Sequence, residues 1–223
     1  MNNSKKEQVV SVFDLDLTLI NGDSMTLWCQ WLCENNFVTD IPQFLASEQS
    51  LINDYKAQKL NIAAYISLAL KPVIHLTTTN IDTLVKKFIE EKIKPIIITS
   101  ISDQLKTQKH KGDTLIISSS PHFLVEPIAK YCFAIENSFG IRVKTCGNQY
   151  TNELTGLIPY KSGKLAILQN YLQHPLSIEN CYFYTDSIND LSLLEAVDFP
   201  FVVNPDIQLE TIAIANKWPI ILT

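Results

Sequence analysis

Val9-Val10-Ser11-Val12-Phe13-Asp14-Leu15-Asp16-Leu17-Thr18 is the stretch on which the reading of the fold turns. Its first half is short, apolar and rich in β-branched residues, the pattern of a buried strand. Its second half sets two carboxylates where the apolar run stops. A carboxylate in that position is costly unless it is paired or meets a cation. Alternation along an extended chain lets Asp14 and Asp16 project to the same side. Ligands of open α/β sheets bind beyond the carboxyl ends of the strands, so the two acids mark a candidate site.

Outward from this strand the pattern turns helical. Trp28, Trp31, Leu32 and Asn35 follow helical spacing with Ser24 as the expected N-cap, Leu60–Leu70 is a helical stretch stopped before Pro72, and Asn80–Lys92 carries Ile81, Leu84, Val85, Phe88 and Ile89 on one side. Ile96–Ile98 has strand propensity, but Ile97, Ile101 and Leu105 fit a helix that closes at His110-Lys111-Gly112, and the helix is the preferred reading. From Asp113 strands and helices alternate. Strands are predicted at Thr114–Ile117, Cys181–Tyr184, Phe199–Val203 and Ile220–Leu222. Helices are predicted at Pro121–Tyr131, Ser162–Leu172, Asn189–Ala196 and Asp206–Asn216, and a small β-hairpin within Ser138–Leu154 turning near Gly147-Asn148. The alternation predicts an α/β fold, a Rossmann-like doubly wound parallel sheet. The early helices interrupt it, so residues 1–19 and 93–223 are expected to form the α/β core and residues 20–92 an inserted all-helical cap domain.

Composition narrows the function. Of 223 residues 46% are hydrophobic and 18% charged, enough apolar material for a sizeable core. The net charge of -5 argues against a nucleic-acid partner. No run approaches the ~20 apolar residues of a membrane span and no signal peptide is visible, so a soluble cytoplasmic protein without membrane insertion is expected. The five cysteines, with Cys29 and Cys33 at i, i+4, have no further ligands at metal spacing and read as buried thiols, Cys132, Cys146 and Cys181 among them. His75, His110 and His174 read as solvated or capping residues, and His122 is assigned to neither site nor solvent. No residue pattern fixes an oligomeric state.

Three strand ends carry polar residues of a consistent kind: Asp14 to Thr18, Ser118-Ser119-Ser120, and Thr185-Asp186-Ser187-Ile188-Asn189-Asp190. Lys161 and Lys164 stand at a helix start between the last two. Asp14, Asp16 and Asp186 offer the hard oxygen ligands that Mg²⁺ takes, with room left for water and a phosphate. Lys164 and the groups around Ser118 suit the remaining phosphate oxygens. An EF-hand does not fit, because Leu15 and Leu17 occupy spacer positions and Met25 falls where a bidentate glutamate belongs.

These motifs resemble the haloacid dehalogenase superfamily, and its phosphoserine-phosphatase-like subfamily IB in particular. The resemblance rests on Asp14-x-Asp16-x-Thr18 after an apolar strand, on Ser118 ending a second strand, on Lys164 in Ser162-Gly163-Lys164, and on Asp186-x-x-x-Asp190 after a third. Val203-Asn204-Pro205-Asp206 and Lys217-Trp218-Pro219 resemble the C-terminal pattern of bacterial members. The resemblance implies a Mg²⁺-dependent phosphomonoester phosphatase acting on a small soluble phosphorylated metabolite. In it Asp14 forms an aspartyl-phosphate and Asp16 serves as acid and then base. Thr18, Ser118, Ser119 and Lys164 hold phosphate. Asp14, Asp16 through its carbonyl, and Asp186 hold the metal, and Asp190 orients Lys164 or a metal-bound water. Lys161 rivals Lys164, Asn189 either caps its helix or touches substrate, Thr18 and the serines have turn or N-cap readings, and Asp23 either reads a substrate amino group or sits at an N-terminus beside Ser24. Arginine is the usual bidentate partner of a carboxylate, and the only one is Arg142, outside the cap. A dedicated phosphoserine phosphatase is therefore not expected. The alternatives are a phosphotransferase on the same scaffold and a phosphate-binding protein without turnover.

Overall fold

A computed structural model of the chain describes residues 9–173 and 180–223; the polar residues 1–8 and His174 lie outside the described residues. Strand β1 is Val10–Phe13, followed by helices α1 (Ser24–Glu34), α2 (Ile41–Lys56), α3 (Ile62–Leu70), α4 (Thr78–Phe88) and α5 (Thr99–Lys109). Then come β2 (Asp113–Pro121), α6 (His122–Phe133), β3 (Ser138–Cys146), β4 (Gln149–Thr155) and α7 (Ser162–Leu172). The chain ends through β5 (Cys181–Thr185), α8 (Leu191–Leu194), β6 (Phe199–Val203), α9 (Ile207–Asn216) and β7 (Ile220–Ile221). The strands form one sheet in the order β4-β3-β2-β1-β5-β6-β7. All neighbours are parallel except β3 and β4, which make the expected hairpin.

Strand alternation explains why helices cover both faces. Phe13, Ile116, Tyr184 and Val203 point to the side packed by α1 to α6. Val12, Leu115, Ile117, Phe183 and Val202 point to the side packed by α7, α8 and α9. Ring stacking holds the register across three strands: Phe13 lies on Tyr184 with centroids 4.4 Å apart, and Tyr184 on Phe201 at 4.7 Å. The first of these clusters also runs without a break from Phe13 and Leu15 through Trp28 and Trp31 to Ile66, Ile81 and Phe88, so the helices of residues 20–92 share apolar packing with the sheet. Trp28 Nε1 donates to the Ala69 carbonyl at 3.0 Å, tying α1 to α3.

Several boundaries differ from the sequence expectation, each for a local reason. The N-cap of α1 is Asp23, whose carboxylate accepts from Thr26 N, while the Ser24 hydroxyl turns to Ser120. Strand β2 continues past Ile117 through the three serines, because pairing with β3 resumes at Pro121 opposite Ile141 after an irregularity. Pro121 itself precedes α6 with no side-chain cap, which removes the serine N-cap reading. The long helix expected to reach Lys92 widens into a π turn at Ile89–Ile93 and tightens at Lys94–Ile96, where Pro95 has no N–H to continue it. Ile97 begins no helix; α5 starts at Thr99 and runs to Lys109, as the helical reading of this segment required. The helix expected at Asn189–Ala196 is a short 3-10 turn at Ile188–Asp190 followed by α8. Cys146 is exposed on the hairpin and is not a core residue, whereas Cys29, Cys33 and Cys181 are buried.

Gly140 lets β3 pass close to the start of α6, since a Cβ there would lie 2.8 Å from His122 Cα and from Ser120 O. Its N–H donates to His122 Nδ1 at 3.2 Å. Burial first, then the Arg142 charge, push the His122 pKa down from 6.5 to about 4. A folded-state value below the unfolded one means the contribution is complete above about pH 6.5 and is lost as pH falls toward 4, because the unfolded chain takes up the proton first. His122→Asn is therefore expected to shallow the loss of melting temperature between pH 6.5 and 4. An unchanged slope in a thermal-unfolding series would show that another group controls that window.

Candidate functional site

Strand β1 lies between β2 and β5, where the strand order reverses. That is where an open α/β sheet leaves a crevice at its carboxyl edge. A cavity of about 600 Å³ opens there, within the range of small-molecule sites. Asp14, Asp16, Ser118 and Asp186 line its sheet side, and residues of α1, α2 and α3 line the opposite side.

The two acids after β1 have different surroundings. Asp14 is 6% exposed; its Oδ2 pairs with Lys164 Nζ at 2.9 Å and its Oδ1 accepts from Leu15 N at 2.8 Å. Beyond Asp16 the chain folds back, with Leu17 at φ 56 and its N–H on the Gly22 carbonyl. This brings Ser24 N to Asp16 Oδ1 at 2.7 Å, while Ser120 Oγ donates to Asp16 Oδ2 at 2.6 Å. Ser118 and Ser120, two apart on β2, thus face the acid together; Ser118 Oγ is 3.4 Å from Asp16 Oδ2. Ser119 points the other way and donates to the Pro159 carbonyl at 2.7 Å. The residue still lines the cavity.

Lys164 is 1% exposed and lies between Asp14 and Asp190, 2.7 Å from the latter. Thr185 Oγ1 completes the group by donating to Asp190 Oδ2 at 2.6 Å. The rival Lys161 reaches instead to the Gln58 carbonyl at 2.9 Å. Thr18, expected on phosphate, is fully buried and its hydroxyl donates to Asp186 Oδ1 at 3.1 Å, so it braces that acid. Asp186 takes part in none of the ion pairs formed among the described residues. Asn189 is buried without capping a helix; Ser187 has that role, and the Asn189 Oδ1 has no partner among the described residues. Asp23 does two things at once, capping α1 and lining the cavity.

Crowding of buried acids shapes the electrostatics. Burial pushes Asp14 up to about 7 despite the opposing Lys164 charge, and Asp190 and Asp16 add to the rise. Burial and the Asp23 charge push Asp16 up to about 6, against hydrogen bonds from Ser120 and Ser24. Asp186 is raised well above the usual carboxylate range by burial and by Asp14. Lys164 is held upward by Asp14 and Asp190 against its own burial and stays charged.

Ser120, Ser24 and Thr185 are the site residues that the sequence reading left without a role. The i, i+2 spacing of the serines on one strand was a usable signal for Ser120. Ser24 enters only through the fold-back after Asp16, which no local pattern announces.

The model of haloacid dehalogenase-like hydrolases matches residues 11–195, the span from β1 through α8, which includes all four motifs. The chain belongs to the haloacid dehalogenase-like hydrolase family. It is an enzyme of the phosphatase branch of that family. A histidinol-phosphatase of Neisseria meningitidis is 34% identical over 95% of this chain and 97% of its own length. A probable phosphatase of Mycobacterium tuberculosis is 27% identical over 97% of this chain and 76% of its own length. Among solved structures, a Bordetella pertussis protein of unknown function superposes with a TM-score of 0.86 at 23% identity, covering 96% of this chain and 98% of that one. A phosphoserine phosphatase, determined as an analogue of its phospho-aspartyl intermediate, superposes at 0.65 with 15% identity over 97% and 94% of the two chains. The fold of this haloacid dehalogenase-like hydrolase is thus the phosphoserine-phosphatase-like one.

The position of Lys164 in this hydrolase depends on Gly163. A Cβ on Gly163 would collide with the Ile158 carbonyl oxygen, so the loop before α7 closes on the helix only because no side chain is there. Gly163→Ala is expected to lower stability by about 1–3 kcal/mol in urea unfolding and to reduce turnover by displacing Lys164. Wild-type stability in the variant would show that the loop gives way freely.

Proposed function

We propose that this enzyme is a Mg²⁺-dependent phosphomonoester hydrolase working through an aspartyl-phosphate on Asp14. The observation that carries the reading is the position of Asp14: buried on the cavity wall, paired with Lys164, and sharing the cavity with Asp186, which is in no ion pair among the described residues. An Asp14 oxygen attacks phosphorus and the bond to the ester oxygen breaks. Asp16, fixed by Ser24 and Ser120, gives its proton to the leaving oxygen. Asp16 then takes a proton from water as that water attacks phosphorus, the bond to Asp14 breaks, and inorganic phosphate leaves. Lys164 and Ser118 hold phosphoryl oxygens during both transfers.

The donor set fits the metal. Among the described residues no three acids, histidines or cysteines converge on one point. Mg²⁺ would be held by the Asp14 and Asp186 carboxylates and the Asp16 main-chain carbonyl, a sparse oxygen set that suits an ion which keeps several waters. When bound it supplies positive charge against the transferring phosphoryl group. In this reading residues 20–92 act as a cap domain over the cavity, while Asp190 and Asn189 support the catalytic groups. Substrate is a small soluble metabolite. All five cysteines are free thiols, which suits the cytoplasm, and among the described residues no helix is long and apolar enough to cross a membrane.

Two activities are named among the relatives, on histidinol phosphate and on phosphoserine. Phosphoserine carries a carboxylate, and the only arginine, Arg142, is exposed on β3 and does not line the cavity. Histidinol phosphate has no carboxylate and is the better match. Purified protein is expected to release phosphate from histidinol phosphate with higher kcat/KM than from phosphoserine. EDTA should abolish the release and Mg²⁺ restore it. Asp14→Asn should fall to assay background, and Asp16→Asn should lose about 10²–10⁴ in rate. No turnover on a broad panel of phosphomonoesters with Mg²⁺ would sink the hydrolase reading; a strong preference for phosphoserine would sink the substrate assignment.

A further inference from the structure

Helix α2 buries only Phe44 and Glu48 among its 16 residues. Phe44 is an apolar anchor in the main cluster. Glu48 has no such explanation. It is 7% exposed, its Oε1 has no hydrogen-bond partner among the described residues, and it lines the same cavity as Asp14. None of the ion pairs among the described residues includes it. Buried polar groups are normally satisfied, and an unpaired buried acid is a cost that a fold keeps for a reason.

The surroundings say what would satisfy it. Glu48 and Asp23, at the facing helix start, line the same cavity; burial and the Asp23 charge push Glu48 up to about 7. Met25, Leu51, Ile52, Tyr65 and Leu68 supply apolar or aromatic lining from the same helices. The one basic side chain on the lining, Lys56, is exposed. Two carboxyl groups thus face one volume with no buried cation beside them, on helices opposite the sheet edge that carries Asp14. A ligand with phosphate at one end and a positive group at the other would neutralise both ends.

We propose that Glu48 receives the cationic group of the substrate, beside Asp23, whose position the family resemblance already links to a substrate amino group, so that the enzyme selects phosphomonoesters of amino alcohols that carry an ammonium or imidazolium and no carboxylate. This rests on the phosphatase reading above and adds to it one residue, Glu48. A substrate carboxylate entering the same end meets two acids and no arginine, which disfavours it by like charge.

The test compares a cationic and an uncharged alcohol component on the same enzyme. In Glu48→Gln, which keeps the shape, the ratio of kcat/KM for histidinol phosphate to that for 4-nitrophenyl phosphate is expected to fall by about tenfold or more, mainly through KM. Asp23→Asn keeps an N-cap acceptor and is expected to lower the same ratio. Glu48→Gln is also expected to hold or raise the melting temperature, because it removes an unpaired buried acid; a purely structural glutamate would lower it. The inference is overturned if the ratio stays at the wild-type value in both variants, or if both substrates lose equally while the protein is destabilised. Failure of the underlying reading looks different: wild-type protein would then hydrolyse neither substrate.

Discussion

The Lys164 ammonium, with its side chain 1% exposed, sits between Asp14 and Asp190, and the arrangement of the site follows from that placement. Asp14 ends β1, Asp190 follows β5 and Lys164 starts α7, so one buried ion cluster ties a central strand, its neighbour and the helix packed on one face. Removing Lys164 would leave two buried acids without their counter-ion, a larger loss than the cluster itself contributes. Thr185 completes it from β5 with a hydroxyl that Asp190 accepts. The cluster falls short of neutralising the acids nearby, since Asp186 and Asp16 face the same cavity. Carboxylates left without a counter-ion repel a phosphate, so a cation among them would be needed before the two could share the cavity.

Much of this was legible in the sequence because it depends on short-range patterns. The apolar run before Asp14, the strand and helix alternation from Asp113 onward and the order of the acidic motifs all follow from local periodicity and strand ends. Lys164 rather than Lys161 in the ion cluster follows from one turn of helix. What escaped depends on contacts between distant segments. Ser120 read as an N-cap candidate for the next helix, whereas β2 continues past Ile117, and that continuation is set by pairing with β3. The hydroxyl partners of Thr18 and Ser119, Asp186 and the Pro159 carbonyl, are likewise set by distant segments.

The helices opposite the sheet were the least legible part. Residue types there report burial, and burial against the sheet cannot be told from burial against a cavity by spacing alone. Glu48 illustrates this: on α2 it reads as an ordinary surface acid, and only the fold turns it toward the space that Asp23 also faces. Asp23 caps α1 with one carboxylate oxygen and also lines the cavity. The absence of arginine from residues 20–92 was the one compositional fact that bore on specificity, and it acts by exclusion.

The continuous apolar cluster beneath α1, α3 and α4 also determines how the cavity can open. Trp28, Trp31, Ile66 and Phe88 pack in one body with the sheet residues Phe13 and Ile116, so swinging all these helices away would tear a core. Helix α2 is different, because Phe44 and Glu48 are its only buried residues. Yet α2 supplies Glu48, Leu51, Ile52 and Tyr55 to the cavity wall. Of the three helices that line the cavity, α2 is thus the one with the fewest side chains anchored in the core, and its stretch of wall is the least tightly held.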